Sequence, residues 1–439
     1  MKPSISLCMI AKNEELRITS AIQSVLPVVS EIIVVDTGSQ DRTIELVESL
    51  GAKVVSLPWS DDFSKPRNDS LIHATKDWIL ILDADEKIAQ KDLDALVQLT
   101  HTPNACYFFR QRHYTENYQL ANFTKCCGEY PTEELESVGY FETPLVRLFP
   151  NFKGIEYRGI VHELVEASVR ENSNLSLVNS NLVIHHYGHK TNALESKRQN
   201  ELYERLAILK VEQEPSWKSY FELGVELLWR GKFEKAEKAL LAAAASNSAE
   251  AAIWLNLANA LKEQGRLTAA EEAVSKALEL QPRAWELHCT KGNLLMLLAR
   301  YQEAEGYFLE AIRLNSEYAH AYAQLAFNYA HLGQFLNAKR AYLAALKLID
   351  SPALKCDLGA VSLFLQDHAE AKKYLENAIS EDPEFSVPHY YLAQLSRSLG
   401  DQQSAIESLK RFCQLEKSGK REPRQNLYKQ AIKELAELS

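Results

Sequence analysis

The chain has 439 residues, 46% hydrophobic and 25% charged, with a formal net charge of −10. This is too long for one compact core and predicts two or three domains of a folded, soluble protein. No apolar run approaches the ~20 residues of a bilayer-crossing helix, and an acidic first half (21 Lys and Arg against 29 Asp and Glu over residues 1–205) without a basic stripe argues against nucleic acid as a partner.

The first apolar stretch, "ISLCMIA", runs at once into Lys12, Glu14 and Glu15 with no small-residue cleavage site, so no signal peptide is expected. Seven cysteines are scattered without a metal-binding spacing, and Cys126 and Cys127 are adjacent. A reducing, cytoplasmic compartment fits that usage. Residues 1–100 then alternate strand-type and helix-type segments. Strands are expected at 4–11, 31–36, 53–58 and 77–83. Helices are expected at 14–26, at 41–50 with Ser39 as N-cap, and at 66–76 with Pro66 in the first turn. Such alternation predicts a mainly parallel sheet covered by helices, with ligands bound beyond the carboxyl ends of the strands. Asp36 ends the second strand, while Asp83 and Asp85 follow the fourth. Further strands are expected at 106–114, 144–150, 155–167 and 182–189. A loop or lid is expected over 122–143, and a helix over 193–213.

From about residue 206 the rhythm changes. Small residues recur at Gly224, Ala258, Gly292, Ala326, Gly359 and Ala393, and alanine recurs twelve positions after each, from Ala236 to Ala405. The period of 34 residues, once 33, is that of tetratricopeptide helix–turn–helix units. About six repeats and a cap helix over 424–438 are expected. The reading is therefore an α/β domain over 1–205 and an all-α repeat superhelix over 206–439.

Asp83 and Asp85 form an Asp-x-Asp pair, two hard oxygen donors suited to Mg²⁺ or Mn²⁺. An ion held there offsets charge on a leaving diphosphate. The same spacing also occurs in ordinary acid-capped turns, so the pair is weighed together with its place after a buried strand and with Asp36 on a neighbouring strand.

The segments "ISLCMIAKNEE", "EIIVVDTGSQDRT", "DFSKPRNDSL" and "DWILILDADE" together resemble family 2 glycosyltransferases of the GT-A fold. They are most similar to the branch that includes lipopolysaccharide-core glucosyltransferases and peptide S-glycosyltransferases. The resemblance covers residues 4–90 strongly and 140–205 weakly. It implies transfer from a nucleotide-sugar, with a UDP-sugar leading, by inverting displacement onto a protein, peptide or glycan acceptor. The repeats would bind that acceptor or another protein partner.

The resemblance also implies residue roles. Ala11, Lys12, Asn13 and Glu14 would hold the base, and Asp36 would contact base or ribose. Arg67 would meet base or diphosphate. Asp83 would contact ribose or metal, Asp85 the metal itself, and Glu86 would be a supporting acid. In "YRGIVHE", Glu163 beside His162 would be the base that takes the acceptor proton. In "IHHYGH", His186 would be a third metal ligand or a phosphate contact. Lys197, Arg198 and Asn200 would close over the diphosphate. The other reading is a tetratricopeptide adaptor whose first domain binds a nucleotide-sugar without turnover. Retention of Asp36, Arg67, Asp83 and Asp85 speaks against it.

Overall fold

The structure is a computed structural model that describes residues 4–115, 120, 123–134, 137–187, 201–418 and 424–438. It divides into two compact units, Met1–Ser248 and Ala249–Ser439. The first unit is built on a nine-stranded mixed sheet. Its parallel half comprises β1 (Ile5–Ala11), β2 (Glu31–Asp36), β3 (Lys53–Ser56) and β4 (Trp78–Ile81) in the order β3-β2-β1-β4. Next in order after β4 come β8 (Gly139–Pro150), β6 (Ala105–Thr115), β9 (Ser176–His186) and the two-residue β5 (Glu86–Lys87). The short β7 (Thr124–Lys125) pairs with β8. β8 runs antiparallel to both β4 and β6, β9 runs parallel to β6, and β5 runs antiparallel to β9.

The parallel strands read as continuous apolar runs because both faces are covered. On one face, Ile18, Ile22 and Val25 of α1 (Ile18–Val25), Val47 of α2 (Thr43–Ser49) and Leu93 and Leu96 of α4 (Leu93–Leu99) pack against Ile5, Leu7, Val34 and Leu80. On the other, Ala74 after α3 (Ser64–His73) and Val169 of α5 (Glu166–Glu171) pack against Cys8, Ile33, Ile79 and Ile81. The register pairs Ala11 with Asp36. The loop after β1, Asp36 and the turn after β4 therefore share the carboxyl edge of the parallel half, where the ligand of an open α/β sheet is expected.

Two expectations are corrected. Ser39 does not cap α2: its hydroxyl accepts the Asn13 N–H at 2.9 Å, and Asp41 holds the Thr43 N–H at 3.0 Å instead. Residues 155–167 do not form a strand. They follow an irregular path with one bridge, Arg158 to Leu164, before entering α5. The segment is fastened from outside: Asn68 Nδ2 donates to the Tyr157 carbonyl at 2.9 Å, the Tyr157 N–H donates back to Asn68 at 2.7 Å, and Lys210 Nζ reaches the Val161 carbonyl at 2.8 Å. Helix α6 (Glu201–Gln213) carries Lys210.

Six helix pairs follow, the first over Trp217–Trp229 and Phe233–Ser246, the last over Val387–Ser398 and Gln402–Lys417, and then a final helix, Gln425–Leu438. The first pair lies in the first unit and the others in the second. The repeating small residues are explained by contact. A Cβ added at Gly224, Gly292 or Gly359 would stand 2.6–2.7 Å from Leu240, Phe308 or Leu375, sixteen residues on in the paired helix. The alanines at 236, 270, 304, 338, 371 and 405 are all fully buried.

At the turns between paired helices the backbone takes positive φ, with glycine at 231, 265, 333 and 400 but Ala299 (57°) and Gln366 (59°) at the equivalent points. A side chain there costs ~1–2 kcal/mol, partly offset because glycine loses ~0.5–1 kcal/mol more entropy on folding. Both residues are exposed. Ala299→Gly and Gln366→Gly are each expected to raise stability by about 0.5–1 kcal/mol, read from the urea midpoint at unchanged slope.

Candidate functional site

A cavity of about 570 Å³ opens at the carboxyl edge of the parallel strands. Its wall includes Ala11, Lys12 and Glu14 from the loop after β1, Arg67 from α3, Asp83 and Asp85 after β4, and Arg147 from β8. Glu163 and His186 add to the polar wall, and Trp59, Phe63, Tyr157 and Tyr203 supply an aromatic one. Trp59 meets Phe63 edge-on at 4.7 Å, and Phe63 stacks on Tyr203 at 6.0 Å.

Eight of the expected site residues thus share one cavity wall. Asn13 and Asp36 do not line it. Asn13 instead joins two loops, its Oδ1 accepting the Gln40 N–H at 2.7 Å. Asp36 Oδ2 accepts the N–H groups of Gly38 and Ser39, both at 2.9 Å, and its Oδ1 is buried without a partner. Its neighbour Thr37 reaches the wall. Lys197, Arg198 and Asn200 lie outside the described residues.

The floor of the cavity is a charge cluster that sequence reading had only in part. Arg67 donates to Asp83 Oδ1 at 2.8 Å through Nη2 and to Glu163 Oε1 at 2.5 Å through Nε. Arg147, which was not anticipated, donates to Asp83 Oδ2 at 3.0 Å and to Glu86 Oε1 at 2.7 Å. Burial works against charge on Asp83, but Arg67 and Arg147 outweigh it and hold its carboxyl well below the usual range. Glu86 is fully buried, accepts the Asp83 N–H at 2.8 Å, and has its pKa pushed up by burial despite Arg147. The two acids thus differ in role: Asp83 is clamped at the cavity wall, and Glu86 braces the turn beneath it.

Asp85 and His186 form a second group. Asp85 is buried, and His186 Nε2 stands 3.4 Å from its Oδ2. Strand register brings them together, since Glu86 pairs with His186 across β5 and β9. Burial lowers the imidazole's proton affinity, but Asp85 outweighs it and raises the His186 pKa above the ordinary value. Among the described residues no three His, Cys, Asp or Glu side chains are gathered as a metal cage. The expected trio of Asp83, Asp85 and His186 is therefore divided, with Asp83 committed to arginine. The remaining carboxylate and imidazole still suit Mg²⁺ or Mn²⁺, which ordinarily take one or two protein carboxylates and complete their shell with phosphate and water.

Neighbouring side chains are structural. His185 faces the opposite side of the sheet, bonded to Tyr114 at 2.6 Å, and burial and Arg112 push its pKa down to about 3. Arg112 is fully buried and binds Glu129 at 2.8 Å, Glu142 at 3.0 Å and Glu134 at 3.3 Å. Glu129, Glu134 and Glu142 are thereby tied to the sheet, three acids held by one arginine.

Residues 6–149 match the glycosyl transferase family 2 profile, and tetratricopeptide repeat profiles match 221–285, 286–318, 319–351 and 353–385. The chain is similar to a TPR repeat-containing protein of Synechococcus elongatus, 33% identical over 198 residues, 44% of each chain. An uncharacterized glycosyltransferase of Rickettsia bellii is 41% identical over 100 residues, 23% of this chain and 34% of the relative. The SPbeta prophage-derived glycosyltransferase SunS of Bacillus subtilis is 26% identical over 234 residues, 52% of this chain and 50% of the relative. The chain thus spans about half the length of these relatives, or less. On the motifs, the sheet and these matches, the chain carries an N-terminal glycosyl transferase family 2 domain followed by tetratricopeptide repeats.

Proposed function

We propose that the first domain transfers a sugar from a nucleotide-sugar, a UDP-sugar in the leading case, to a protein, peptide or glycan acceptor. We also propose that the repeats bind that acceptor or a protein partner. The observation that carries this reading is the cavity at the carboxyl edge of the parallel strands, lined by Asp85 beside His186 and by Asp83 clamped to Arg67.

In this reading Ala11, Lys12 and Glu14 border the base, and the aromatic wall of Trp59, Phe63 and Tyr203 shields it from water. Asp83 stays with Arg67 and Arg147 and faces the ribose with a side chain 30% exposed. Asp85 and His186 would hold a divalent cation, which supplies charge compensation for the leaving diphosphate. Glu163 has Oε1 tied to Arg67, which leaves Oε2 to take the acceptor proton as the acceptor attacks the anomeric carbon. Direct attack on the face opposite the diphosphate inverts the sugar.

The test is a screen of UDP-, GDP- and dTDP-sugars for hydrolysis with Mn²⁺, since a transferase without its acceptor leaks sugar to water. UDP-sugar hydrolysis that stops on chelation is expected. UDP with Mn²⁺ at 100 times the dissociation constant should also stabilise the fold by ~2.7 kcal/mol. Stabilisation by a nucleotide without hydrolysis of any donor would leave the adaptor reading standing.

A further inference from the structure

Three side chains that the proposed reaction does not use form a chain with one allowed direction. Glu86 Oε1 accepts from the Gln111 side-chain amide and from Arg147, while Oε2 accepts the Asp83 N–H. With donors on both oxygens, the carboxylate fixes the Gln111 amide with its NH₂ toward Glu86 and its carbonyl toward Thr143. The Thr143 hydroxyl donates to that carbonyl at 3.2 Å. A hydroxyl has one hydrogen to give, so the same oxygen, 2.8 Å from His113 Nε2, must accept there. His113 therefore carries its proton on Nε2 and turns the Nδ1 lone pair toward His186 Nδ1 at 3.0 Å. Only a donor fits opposite a lone pair, so His186 holds hydrogen on Nδ1, and Nε2 is the nitrogen facing Asp85.

Sheet register builds the path. Gln111 pairs with Thr143 across β6 and β8, His113 pairs with His186 across β6 and β9, and Glu86 pairs with His186 across β5 and β9. Alternation puts Gln111, His113, Thr143 and Arg147 on the cavity face and Arg112 and His185 on the other.

We propose that Gln111, Thr143 and His113 are positioning residues: a directed hydrogen-bond chain, anchored on Glu86, that fixes the tautomer and ring orientation of His186 so that Nε2 is offered to a divalent cation shared with Asp85. This rests on the reading of Asp85 and His186 as cation ligands. A ligating histidine has its other ring nitrogen held by a hydrogen-bond partner, and loss of such a partner typically weakens metal binding ~10–100-fold. None of the three need touch the ion.

The test is direct Mn²⁺ titration of the full chain with UDP present, reading free Mn²⁺ by electron paramagnetic resonance. His113→Leu should weaken binding ~10–100-fold. His113→Asn, whose Oδ1 stands where Nδ1 stood and accepts from His186, should stay within a few-fold of the parent. Thr143→Val, one hydrogen bond further from the ion, should weaken binding several-fold and carries the test if His113→Leu does not fold. Unchanged affinity in His113→Leu, or in Thr143→Val where that variant stands in, while Asp85→Ala loses the ion, overturns the chain and leaves the cation site standing. Equal loss in the Leu and Asn variants assigns His113 to packing and also overturns it. No Mn²⁺ binding by the parent overturns both.

Discussion

Replacing Asp85 with alanine is expected to abolish donor hydrolysis and remove any Mn²⁺-dependent stabilisation while the fold survives. Asp85 is buried on the cavity wall beside His186, and it is the acid of the Asp-x-Asp pair whose carboxylate faces the imidazole. Asp83, by contrast, is clamped by Arg67 and Arg147, so Asp83→Ala leaves two buried guanidinium groups short of a partner. Breaking one partner out of a buried ion pair costs ~3–5 kcal/mol, so Asp83→Ala should lower the melting temperature. Melting curves with and without Mn²⁺ and UDP separate the two. Full hydrolysis by Asp85→Ala, or by the parent chain in excess chelator, would remove the metal from the mechanism.

The second large effect is expected at Glu163. Substitution by glutamine keeps an Oε1 that accepts from Arg67, so the clamp on α3 is preserved, and it removes the basic oxygen. Transfer should slow by ~10²–10⁴, the ordinary worth of a positioned general base, with UDP affinity within a few-fold of the parent. The loss belongs in kcat rather than in the donor's KM. It should shrink for a thiol acceptor, which arrives partly ionised. Near-normal turnover would make Glu163 a brace for Arg67. Loss of UDP binding would mean that the Arg67–Glu163 pair serves the donor instead. Glu129, Glu134 and Glu142 are poor substitutes as base, because all three are held by Arg112.

Local pattern carried much of the fold. The run "EIIVVD" is strand β2 to the residue, since a strand buried on both faces needs an unbroken apolar string. The repeats were legible because helix crossings admit only small residues at fixed spacing. The segment 155–167 was not legible, because its path is set by Asn68 and Lys210, distant in sequence, and by a positive φ at His162.

The candidate site divides in the same way. Asp83, Asp85 and Arg67 stand in contiguous motifs. Arg147, Gln111 and His113 become partners of those residues only through antiparallel and long-range pairing of β8, β6 and β9. Two faint signals did exist. Arg147 is the one charged residue in "PLVRLFP", an otherwise apolar run, and "RQRH" at 110–113 puts polar groups on both faces of a strand with apolar flanks. A buried polar residue in such a run must be bonded, which marks it as part of a network without naming the partner. The division of the expected metal trio could not be read at all from sequence, since it depends on two arginines converging on one carboxylate.

The most direct test of the central claim is calorimetric titration of UDP into the full chain with Mn²⁺ present and again with chelator. One binding site per chain, strong with Mn²⁺, much weakened by chelator and lost in Asp85→Ala, is the predicted result. Absence of UDP binding, or binding indifferent to both metal and Asp85, would contradict the account.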